Sequence, residues 1–147
     1  RSWYNTKLDG GTMNLPRVEA LFKKLRADAA HMFPQLDEVE LVLDPSVGDS
    51  PRSFAACQID AKHNVSILVA GKLEVAPAHR IEGILRHEFG HAVDFLYDLD
   101  ELFHSQPERR ADEIAELIWE SPIYYEAPLW IQSISRGVSP RPSQLPR

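Results

Sequence analysis

His87, Glu88 and His91 stand in the order His-Glu-x-x-His, within the run His87-Glu88-Phe89-Gly90-His91. On a helix, residues four apart lie one turn above each other on the same face, so both imidazoles can reach one tetrahedral Zn²⁺. Glu88 follows the first histidine directly, where its carboxylate can take a proton from a metal-activated water. Bound zinc brings the pKa of such a water down to about 7, so the chemistry runs at neutral pH.

A hydrolytic zinc site takes a third protein ligand and keeps one position open. In the metzincin pattern Gly and His follow the second His by three and six residues; here those positions hold Asp94 and Tyr97, so that class is rejected. The reversed order His-x-x-Glu-His is absent as well. A carboxylate on a later helix is the remaining option. With about 100° per residue, Ala111, Ile114, Ala115, Ile118 and Trp119 define a buried arc; Glu108 falls inside it, Asp112 at its edge, and Glu113, Glu116 and Glu120 on a solvated side. An acid within an apolar arc needs a partner, and zinc is one. Glu108 is therefore the expected third ligand. Two alternatives stand beside it. Ser105-Gln106-Pro107-Glu108 also reads as a capping box, in which Glu108 serves its own helix end. Asp112 is the second choice of ligand, or an outer acceptor that orients a ligand histidine.

The pair His87-Glu88-Phe89-Gly90-His91 and Glu108-Arg109-Arg110-Ala111-Asp112 resembles the gluzincin pattern of H-E-x-x-H with a downstream E-x-x-A-D, carried by HtpX-type and IrrE-like peptidases. The string from His87 to Asp94 is also similar to the active-site helix of lethal-factor-type toxin peptidases. The resemblance spans mainly residues 78–120. It implies zinc bound by His87, His91 and Glu108, Glu88 as general base, and a small sheet packed on the motif helix with an edge strand along the cleft. An extended peptide could add to that edge, for which Val65 to Ala70 or its hairpin partner is the candidate.

The elements that must position these residues follow from periodicity. Leu15, Val18, Phe22, Leu25 and Ala29 recur every three or four residues and predict a helix over 15–30, with Asn14 as N-cap and Pro16 in the first turn. Val39 to Leu43 alternates as a short strand, and residues 44–51 are rich in loop formers. Ser53 to Ile59 and Val65 to Ala70 read as two strands joined by a hairpin at Asp60 to Asn64. Ile81, Leu85, Phe89, Ala92 and Leu96 make one apolar stripe on a helix over 78–97, which leaves both histidines on another, cleft-facing side. Gly90 lowers helix propensity by about 1 kcal/mol relative to Ala, so its presence mid-helix points to close packing of another element. A last helix covers 107–120. The expected fold class is α+β, zincin-like, with a three-stranded or larger mixed sheet on the motif helix, followed by a Glu-bearing helix. Residues 1–13 read as a loose arm, 14–136 as the domain, and 137–147 as a Pro- and Arg-containing tail.

The 147 residues support one domain, with 44% hydrophobic and 26% charged residues. The net charge of -6 argues against nucleic acid as a partner, and no run reaches the roughly 20 apolar residues of a membrane span. The single cysteine, Cys57, rules out an internal disulfide, and with no signal-peptide pattern at Arg1-Ser2-Trp3 it leads to the expectation of a cytoplasmic location. Cys57 is expected as strand packing. Tyr97, His104, Tyr124 and Tyr125 are the candidate oxyanion donors. The sequence thus leads to a zinc-dependent metalloendopeptidase acting on a peptide or protein substrate. A non-catalytic zincin-scaffold binding or assembly module is the alternative. Nothing in the sequence sets an oligomeric state.

Overall fold

The structure, a computed structural model, describes residues 14–49, 53–97, 99 and 106–120. The arm 1–13, the tail 137–147, Ser105, and the candidates His104, Tyr124 and Tyr125 lie outside the described residues. Among the described residues the fold has three α-helices and a small mixed sheet: α1 (Pro16–Ala30), β1 (Glu40–Leu43), β2 (Ala55–Ile59), β3 (Val65–Val69), α2 (Ala78–Tyr97) and α3 (Pro107–Ala115). Short 3-10 turns at Pro34–Glu38, Pro45–Asp49 and Gly71–Val75 link them. No helix among the described residues is long and apolar enough to cross a membrane.

The sheet order is β1-β3-β2, with β1 parallel and β2 antiparallel to β3. Val65–Val69 is therefore the central strand and is buried along its whole length. Of the two candidates for the edge, it is the hairpin partner β2 that lies at the edge beside α2. A strand bonded on both sides leaves no free backbone groups, and only β1 and β2 retain them. The hairpin turns where expected. Asp60 accepts the amides of Lys62 and Asn64 at 2.8 and 2.9 Å, and His63 takes the left-handed conformation with φ 65°.

The apolar stripe of α2 is buried as the pattern requires, with Ile81, Leu85, Phe89 and Ala92 at 0% exposure. It meets Val18, Phe22 and Leu25 of α1 and Val65, Ile67 and Val69 of β3 in one core. Phe22 stacks on Phe89 with ring centroids 5.2 Å apart. The start of α1 differs from expectation. Leu15, not Asn14, is the N-cap residue, and no side chain of its own segment caps the helix. Glu74, from the turn before α2, accepts the amides of Arg17 at 2.9 Å and Val18 at 3.0 Å instead. A carboxylate satisfies the orphan N–H groups and complements the positive end of the helix wherever in the chain it comes from. α3 also ends earlier than expected: after Ala115 the chain continues as a π-helical turn, Glu116–Glu120.

Candidate metal centre

α2 carries His87 and His91 one turn apart, and α3 brings Glu108 opposite both. The Glu108 carboxylate has one oxygen 3.0 Å from His87 Nε2 and the other 3.2 Å from His91 Nε2. One donor atom from each of the three residues lies within 4.8 Å of the others, so the group could hold a metal ion. Two imidazole nitrogens and a carboxylate oxygen are the donor types of a hydrolytic zinc site. Asp112 stands behind the cluster, 2.7 Å from His87 Nδ1. It accepts the Nδ1 proton and so leaves Nε2 as the nitrogen turned toward His91 and Glu108. Of the alternatives open in the sequence, Asp112 occupies the orienting position. Both Glu108 oxygens face histidines, while Ser105, the cap residue of the alternative reading, lies outside the described residues.

Two features fix α3 against α2. The first is Gly90. A Cβ there would fall within the carbonyl oxygen of Ala111, and within 2.8 and 2.9 Å of its carbonyl carbon and Cα. The helices approach backbone to backbone at this point, which is the close packing that a mid-helix glycine implied. The second is a buried ion pair, Arg110 Nε to Asp94 Oδ2 at 2.8 Å, with side chains only 11% and 6% exposed. The sequence reading gave neither residue a part. Its signal was available: Asp94 lies one turn beyond Gly90 and His91, and Arg110 one turn before Ile114, so both fall on faces that the two helices turn toward each other.

The helical wheel misplaced three acids. Glu108 and Asp112 are 77% and 67% exposed at their side chains, not set within a buried arc. Ala111, Ile114 and Ile118 do form the buried line expected, but Glu108 sits in the first turn, where it overhangs the cleft. Glu113, expected in solvent, is half-buried.

Glu88 is buried, 7% exposed, and reaches the cleft on both sides of the histidines. Burial pushes its carboxyl up to about 7, with the Glu108 charge adding to the shift and His87 opposing it. Burial alone would lower the His87 imidazole, but hydrogen bonds to Asp112 and Glu108, with the Glu88 and Asp112 charges, hold it above the usual histidine range. Burial alone would raise the Glu108 carboxyl, but hydrogen bonds to His87 and His91, with their charges, together hold it below its usual range.

The cleft lies between β2 and α2. Its larger part, about 500 Å³, is lined by Ser53, Phe54, Arg80 and Ile84 beside His87. Its smaller part, about 290 Å³, is lined by Ala56, Cys57, Phe95 and Pro107 beside His91 and Glu108. Cys57 is half-buried, and burial, with the Glu88 charge, pushes its thiol well above the usual range. It packs against the core as expected. Tyr97 is removed from the oxyanion candidates. Its ring meets Phe33 edge-on at 5.1 Å and its hydroxyl accepts the Gln35 amide at 3.3 Å, which ties it to the turn after α1.

No protein-family model, curated protein or solved structure matches the chain.

Proposed function

We propose that this protein is a zinc-dependent metalloendopeptidase of gluzincin type, with a zincin-like arrangement of sheet and helices. The observation that carries the reading is Glu88: a buried carboxylate adjoining a two-histidine, one-glutamate cluster, in a cleft lined by residues of β2 and α2. A purely structural metal site has no use for that acid.

His87, His91 and Glu108 are the residues that would hold zinc. When bound, zinc supplies a Lewis acid that polarises the peptide carbonyl and makes water nucleophilic at neutral pH. Asp112 keeps His87 in the tautomer whose Nε2 is available, through its contact with Nδ1. Glu88 takes the proton of the attacking water and delivers it to the leaving amine. Its buried position favours an acid that both accepts and returns a proton near neutrality. The outer edge of β2 has no strand partner among the described residues, so a peptide can pair with it and lie along the cleft.

Digestion of a randomised peptide library by zinc-loaded protein tests the proposal. New N-termini should form, stop with a chelator and return on adding zinc. A protein that holds one zinc per chain and cuts nothing in the library would replace this reading with the non-catalytic binding module.

A further inference from the structure

The two halves of the cleft differ in chemistry. Arg80 is exposed at the α2 end of the larger half, and its guanidinium lies 5.0 Å from the centre of the Phe54 ring. Lys72 approaches the same ring at 4.7 Å. Among the described residues Arg80 makes no ion pair, while the acids that share its pocket, Glu88 and Asp112, belong to the histidine cluster. The smaller half presents Phe95, Pro107 and Ala56 and carries no cation. One end of the cleft is thus a cationic, aromatic-backed surface, and the other offers apolar side chains beside the acids Glu88 and Glu108.

The direction of a bound chain follows from the strand. Along the cleft, β2 runs from the Phe54 end to the Cys57 end, in the same sense as α2 from Arg80 to Phe95. An extended peptide pairs more favourably in the antiparallel sense. Its N-terminal half then lies by Phe95 and its C-terminal half by Arg80. Arg80 precedes His87 by seven residues, about 10 Å along a helix. At about 3.3 Å per residue of extended chain, that is two or three residues beyond the bond nearest His87.

We infer that Arg80 is a specificity-determining residue that selects peptides carrying a carboxylate two or three residues C-terminal to the bond to be cut. The inference rests on the peptidase reading and gives that cleft a substrate class. An acidic side chain and a chain terminus both supply the carboxylate. Guanidinium pairs with either in the same planar, two-pronged way.

The experiment uses zinc-loaded full-length protein, in the parent, Arg80→Gln and Arg80→Glu forms. Cleavage sites in a randomised library are compared with equilibrium binding of fluorescein-labelled peptides that differ only in Asp, Asn or Lys at one position. A matching set ends in a free or an amidated C-terminus at that position. The parent should favour the carboxylate about three- to fivefold at low salt, the range of an exposed ion pair. That preference should shrink in high salt. Arg80→Gln should abolish it and Arg80→Glu should turn it toward Lys, with zinc content unchanged in both. Cleavage with no charge preference, or with the preference on the N-terminal side, overturns the inference and leaves the peptidase proposal standing. Arg80-dependent binding of carboxylate peptides that are never cut removes the peptidase proposal and overturns the inference as a cleavage preference, leaving Arg80 only as a carboxylate contact of a binding cleft. Peptides neither bound nor cut remove both.

Discussion

Replacing Gly90 by Ala tests how closely α2 and α3 are joined, and the sign of the effect decides the matter. In an uncrowded helix interior the change would stabilise the protein by about 0.8–1 kcal/mol, because Ala has the higher helix propensity. Here the added methyl would overlap the Ala111 carbonyl oxygen and stand 2.8 Å from its carbonyl carbon. These are backbone atoms of a packed helix, so no side-chain rotation relieves the overlap and α3 must shift as a body. Overpacking of this kind costs about 1–3 kcal/mol or more. Overlap with backbone atoms puts the cost at the upper end of that range, so with the propensity gain subtracted the expected net loss is about 2 kcal/mol, which lowers Tm by roughly 4–8 °C in a chain of this size. Glu108 lies one turn before Ala111 on the displaced helix, so zinc affinity should fall by about tenfold, the lower end of what disturbed ligand support costs. Thermal melts in chelator, and zinc titration against a competing chromophoric chelator, read the two effects separately. A Gly90→Ala protein that melts at or above the parent temperature would refute the close contact. Unchanged zinc affinity would refute the link from that contact to Glu108.

Other substitutions separate the roles around the metal. Glu108→Ala should abolish tight zinc binding, whereas Asp112→Asn should weaken it by about 10- to 100-fold, as loss of a ligand's orienting partner does; the opposite order, read by the same titration, would exchange their roles. Taking the Asp94 carboxylate out of its buried pair with Arg110, as in Asp94→Leu, should cost about 3 kcal/mol in denaturant unfolding, and adding Arg110→Met should restore part of it. pH should act in opposite directions on the metal-free and the zinc-loaded protein. In the metal-free protein Glu88 titrates near 7 against an ordinary value of 4.5, so stability present below pH 4.5 should decline by about 3 kcal/mol as pH rises through 7. The raised His87 imidazole acts with the same sign, its contribution being lost as pH climbs past the ordinary histidine range. Zinc requires neutral histidines, so the stabilisation it adds should grow over the same interval; chelated and zinc-loaded melts from pH 4.5 to 8 that fall or rise in parallel would contradict both assignments.

The elements that carry their own period were legible in the chain. The α2 stripe of Ile81, Leu85, Phe89, Ala92 and Leu96 predicts a helix over 78–97, and Ala78–Tyr97 is the helix observed. The hairpin at Asp60 to Asn64 was legible because Asp60 and Asn64 make the turn with local bonds. The convergence expected of His87, His91 and Glu108 is the geometry observed. Features created by partners distant in sequence were not legible. Glu74 caps α1 from 56 residues away at Val18, and nothing near Leu15 signals it. The central place of Val65–Val69 is decided by which strand pairs on its far side, a matter of topology rather than of pattern. Glu108 shows the limit of a helical wheel. The angle of a residue around its helix is fixed by its number, but burial also depends on whether a neighbour extends as far as its turn. Glu108, in the first turn of α3, overhangs the cleft and is exposed for that reason.

The central claim is that Glu88 moves the proton in a hydrolysis supported by zinc at His87, His91 and Glu108. Peptide cleavage and bound zinc, measured on the same samples of parent and Glu88→Gln, test it most directly. The amide keeps the size of the carboxylate and removes its basicity. The expected result is one zinc per chain in both proteins, with cleavage lost by at least about 10²-fold in the variant, the scale of a positioned acid–base group. Equal cleavage rates at equal zinc content would contradict the account.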